Sequence, residues 1–170
     1  MSSPSFEETI NASFIWCEAW ESGELSDEVL ADRVGDLLKS ETGLRGFFAF
    51  CLASDCPLLD RLPDTMIFLF REVGESLVDI TVKNLAMSTA MKVHHQRNSD
   101  ENQRIGAERV VLRCIDLLRL LDATLVKKRL ELLLKGIKGQ DSDVQFLDKW
   151  NYDDEQKNEI AQSIYLIPEH

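Results

Sequence analysis

Most signatures of catalysis are missing from this chain of 170 residues. It has no GxGxxG or GxxxxGK turn to cradle a phosphate, no GxSxG around a nucleophilic serine and no CxxC pair. The ExxH spacing of carboxylate di-metal bundles and the HExxH spacing of zinc hydrolases are absent too. Apolar runs are short, Phe47–Ala53 and Met66–Phe70 being the longest, whereas a bilayer span needs about 18 such residues. The N-terminus shows neither a basic n-region nor an apolar h-region, and the expectation is a cytoplasmic protein without membrane contact. Strand signals are equally sparse, since no Asn-Gly or Asp-Gly turn separates alternating runs of β-branched residues.

What is present belongs to an ordinary globular protein. The chain is 44% apolar and 29% charged, a balance that buries a core and excludes the disordered class. Its length fits one domain. Cys17, Cys51, Cys56 and Cys114 follow no framework and read as reduced core thiols.

The net charge of -11 is distributed unevenly. Residues 1–62 carry 4 basic and 12 acidic side chains, residues 63–139 carry 13 and 10, and residues 140–170 carry 2 and 8. The overall sign repels phosphate backbones and anionic lipid, so nucleic acid is a disfavoured partner. The net-positive middle block stands out.

That block also holds the strongest periodicity. From Pro63 an apolar stripe runs through Met66, Phe70, Val73, Leu77, Ile80, Met87 and Met91, and after a polar tip at 96–103 another runs from Ile105 through Leu118 to Ile137. Two long helices paired across the tip are predicted, with Gly74 a possible kink and Asp122 a possible restart. Before them, Ser5 and Ser26 are placed to cap two short helices that end near Gly23 and Gly43, and Leu44–Ser54 reads as a buried central helix. Asp143–Trp150 and Asp153–Tyr165 read as two more, the last ending before Pro168. The expected fold is all-α, a single-domain bundle of six to seven helices around a long central antiparallel hairpin at 63–139, flanked by acidic segments 1–62 and 140–170.

Candidate chemistry concentrates on this hairpin. Arg97, Arg104, Arg109, Arg113 and Arg119 give the tip and the second long helix a basic face, suited to an acidic protein partner or to the chain's own acidic ends. Lys127, Lys128 and Arg129 extend it. His94, at the end of the first long helix, and Glu72, Glu75 and Asp79 on one helical face form the alternative, a metal or small-ligand site. Trp16, Trp20, Trp150 and several phenylalanines are read as core. The expected function is therefore a non-enzymatic adaptor or regulatory module acting through a protein partner, with a homodimer possible and no cofactor implied.

Overall fold

The computed structural model describes residues 4–140 and 143–167. Among them every regular element is helical, with nine α-helices and no strand. The chain divides into two compact units, Met1–Leu77 and Val78–His170.

The N-terminal unit contains α1 (Phe6–Glu21), α2 (Asp27–Leu37), α3 (Glu41–Ala53), a single 3-10 turn at Leu58–Asp60, and α4 (Asp64–Val73). The predicted caps form. Ser5 Oγ accepts the Glu8 amide at 3.2 Å and Ser26 Oγ accepts that of Val29 at 3.2 Å, so each hydroxyl satisfies an amide that the first turn leaves open. Gly23, at φ +86°, takes the left-handed turn after α1. Gly43 does not end α2 as expected. Ser40 caps a new helix by accepting the Gly43 amide at 2.9 Å, which places Gly43 in the first turn of α3. A Cβ on Gly43 would lie 1.9 Å from the Leu37 carbonyl oxygen, so the close approach of α2 and α3 requires glycine here.

The core of this unit is aromatic. Phe47, Phe48 and Phe70 are fully buried, with ring centroids between 5.4 and 6.1 Å apart and mostly edge to face. Phe68 and Trp150, read as core from their spacing, are instead exposed, at 65% and 49%.

The expected pair of long helices is divided into four, and this raises the helix count above six to seven. Gly74 adopts φ +77°, ψ -129°, which ends α4 one residue before α5 (Glu75–Arg97) begins. Asp122 Oδ1 accepts the amides of Thr124 and Leu125 at 2.9 and 3.1 Å, starting α7 (Ala123–Ile137) just after α6 (Glu101–Leu120). Helix formers on either side of a break keep the apolar period, so periodicity alone reads through it.

In the C-terminal unit, α5 and α6 run antiparallel across the turn 98–100, where Ser99 takes φ +54° and Asp100 caps α6. Lys92 and Glu108 meet across the pair at 3.7 Å. Short α8 (Asp143–Lys149) packs on α7, and α9 (Asp154–Tyr165) opens with a reciprocal capping box between Asp153 and Gln156. Leu85, Ala86, Cys114, Leu117, Leu133 and Ile160 are at most 1% exposed and form the core. Pro168 and His170 lie outside the described residues. No helix among the described residues is long and apolar enough to cross a membrane.

Candidate functional site

The basic residues of the C-terminal unit fall into two groups according to what they touch. The arginines of the predicted face are largely committed to the chain itself. Arg97 grips Asp153 through two hydrogen bonds of 2.7 and 3.1 Å and reaches Glu155 at 3.0 Å. Arg104 lies between Glu101 and Glu108, at 2.6 and 2.9 Å. Arg119 donates to the Leu166 carbonyl and stands 3.9 Å from Asp116. Arg113 is only 4% exposed and Arg109 is half-buried, and both interact within the chain.

Arg97 and Asp153 have an electrostatic consequence. The Arg97 guanidinium, with help from the Gln156 amide, draws the Asp153 carboxyl from 3.8 down to about 2. Because the folded value lies below the unfolded one, this contribution is complete above pH 3.8 and disappears as pH falls toward about 2. Both groups are solvent-exposed, so salt weakens the pair. In Arg97→Ala the Asp153 titration, followed by carboxyl carbon-13 NMR, is expected to move up toward 3.8. An unmoved midpoint would contradict the assignment.

Lys127, Lys128, Lys135 and Lys138 of α7 and its C-cap form the second group. All four are exposed, and none makes an ion pair among the described residues. Their neighbour Arg129 points the other way. It is 12% exposed at its side chain and binds Asp79 at 2.9 Å and Asp143 at 2.6 and 3.1 Å, tying α7 to α5 and α8.

Beside the lysines runs an apolar groove of about 360 Å³. Val126, Leu130 and Leu134 of α7 form one wall, Leu118 and Leu121 close the α6 end, and Ile164, Tyr165 and Ile167 line the side formed by α9 and its exit. Arg119, Lys127 and Glu131 are its polar groups. Val126, Leu130 and Leu134 lie one turn apart on a single face of α7, which starts at the Asp122 cap.

The residues of the alternative site are not gathered. Gly74 separates Glu72 on α4 from Glu75 on α5, which breaks the predicted common face. Asp79 is engaged by Arg129 and by Lys83 at 3.1 Å. His94 is exposed, with its Nε2 3.1 Å from the Asn98 side-chain amide. Among the described residues no three His, Cys, Asp or Glu groups are placed to hold a metal.

The N-terminal unit has a thiol cluster that spacing did not reveal. Cys17 is in hydrogen-bonding contact with Cys51 and Cys56 beside a cavity that Glu18, Glu21 and Asp55 also line. The Cys51 thiol and burial hold Cys17 well above the ordinary thiol range, and the Cys17 thiol and burial do the same for Cys56. Burial alone pushes Cys114 up to about 12. Thiols so shifted are poor nucleophiles at neutral pH.

Together these features describe an all-helical protein with an apolar groove in its C-terminal unit, edged by the exposed Lys127 and by Glu131. The chain belongs to the family described as uncharacterised conserved protein UCP020893, whose model matches residues 5–167. No curated protein and no solved structure matches the chain.

Proposed function

We propose that this chain is a non-enzymatic interaction module that captures an acidic protein partner on the outer face of α7. The observation that carries this reading is the contrast between the two basic groups. Arginines that hold internal carboxylates would have to give up those contacts before meeting a partner, whereas the α7 lysines have only water to release. The exposed lysines of α7 supply long-range attraction, and the apolar groove that Lys127 edges supplies a surface to desolvate, the two components of a protein interface. The contact surface predicted on the α6 arginines is thereby shifted one helix along, with Arg97, Arg104 and Arg119 acting as its internal braces.

Affinity recovery from native extract tests the reading. The wild-type chain is expected to retain a partner that is lost when Lys127, Lys128, Lys135 and Lys138 are all replaced by Glu, and capture should weaken as salt is raised. Equal recovery of the same partner by both proteins would remove α7 from the account. A variant in which Arg113 is replaced is not an equivalent test, because that side chain is buried.

A further inference from the structure

The C-terminal unit already seats one acidic amphipathic helix. In α9, Ile160 and Ile164 are buried against the bundle, while Asp153 and Glu155 at its start are held by Arg97. An apolar stripe packed into the bundle and carboxylates on Arg97 attach it, together with the Gln156 side-chain amide that donates to the Ala90 carbonyl at 3.2 Å. The groove alongside repeats these conditions without an occupant from the described residues. Val126 and Leu130, 5% and 6% exposed, floor the groove and the half-buried Leu134 continues them in an i, i+4, i+8 apolar ladder, the complement of a helix that carries large apolar groups at similar intervals. Lys127 stands on its edge.

Resting on the α7 reading above, we propose that the groove receives an acidic amphipathic helix of the partner, laid along α7 beside α9. The charges of α7 also set a register. Lys127 and Lys135 flank Glu131, two residues about 12 Å apart along the helix with an anion between them. A complementary helix carries carboxylates opposite the two lysines and a neutral or basic residue opposite Glu131. A uniformly acidic helix meets repulsion at Glu131, so the pattern gives specificity as well as attraction.

Fluorescence anisotropy with the full chain and two synthetic helical peptides tests this. One peptide has a leucine stripe flanked by glutamates and a central lysine. The other has the same stripe with the glutamates replaced by lysines and the central lysine by glutamate. The first is expected to bind at least about tenfold more tightly than the second at 0.15 M salt, a difference of the size charge complementarity supplies. Lys127→Glu should weaken the first peptide several-fold and Glu131→Lys should strengthen a uniformly acidic version, both being surface changes that leave the core intact. Leu134→Asp, checked for wild-type unfolding, should abolish binding.

Equal affinity for the two peptides overturns the proposal, and so does acidic binding that Lys127→Glu and Leu134→Asp leave unchanged. Self-association of the chain that Leu134→Asp abolishes would assign the groove to a second copy and overturn it as well. If the peptides fail while the four-lysine variant still loses its native partner, the helical occupant is wrong and the α7 reading stands. Failure of both experiments removes both.

Discussion

Gly46→Ala lowers the stability of the chain by about 2–3 kcal/mol, although alanine is the better helix former by about 1 kcal/mol. Gly46 of α3 lies directly against Thr9 of α1. A Cβ there would lie 1.7 Å from Thr9 Oγ1 and 2.7 Å from Thr9 Cβ. Thr9 cannot simply turn away, because it is fully buried and its hydroxyl donates to the Phe6 carbonyl at 2.6 Å. The helices must therefore separate, loosening the contacts around Cys17, Phe47 and Phe48, and an interior packed at crystal density resists that. Urea unfolding of the full chain measures the change. Adding Thr9→Ala removes the hydroxyl but leaves the Cβ contact, so the double variant is expected to recover part of the loss and no more. A Gly46→Ala protein as stable as the wild type would mean that α1 and α3 do not meet this closely.

Arg129→Ala has a comparable effect in the C-terminal unit, about 3 kcal/mol, for an electrostatic reason. Removing the guanidinium leaves Asp143, 8% exposed at its side chain, as a buried carboxylate without its partner, and leaves Asp79 to Lys83 alone. Relief by outward movement is limited, since Asp143 packs on Gly136, where an added Cβ would lie 2.6 Å from Asp143 Cβ. The double variant Arg129→Ala, Asp143→Ala should be more stable than Arg129→Ala alone, because the stranded charge is gone. If the single variant costs less than about 1 kcal/mol, the Arg129 ion pairs are peripheral and α8 is held by other contacts.

Neither of these two positions was readable in the sequence, whereas features set by near neighbours were. The caps at Ser5 and Ser26 are local, set by residues within three positions, and they form as predicted. The division of the arginines was local for Arg104 and Arg119, though not for Arg97, whose partner Asp153 stands 56 positions away. Glu101, Arg104 and Glu108 lie three and four residues apart, and Asp116 precedes Arg119 by three, so the i, i+3 and i, i+4 spacing marks those cations as paired, while Lys127 and Lys128 have only Glu131 within reach on their own helix. Reading that spacing, and not the count of cations alone, points to α7. Arg129 was not legible. Its partners stand 50 and 14 positions away, and nothing in the run Lys127-Lys128-Arg129 distinguishes the inward residue from the two outward ones. Gly46 was equally opaque, because a glycine inside a helix reads as a weakness until the facing Thr9 is known. The groove was hidden by Asp122, whose capping role turns one apparent helix into two.

The central claim, that α7 and the groove beside it form the contact surface, is tested most directly by site-specific photo-crosslinking in native cells. A photoreactive amino acid at position 134 lies within the groove, and one at position 68 replaces an exposed phenylalanine of the N-terminal unit as the comparison. The account predicts an adduct with a protein partner from position 134 that disappears when Lys127, Lys128, Lys135 and Lys138 are changed to Glu. An adduct from position 68 with none from position 134 would contradict it.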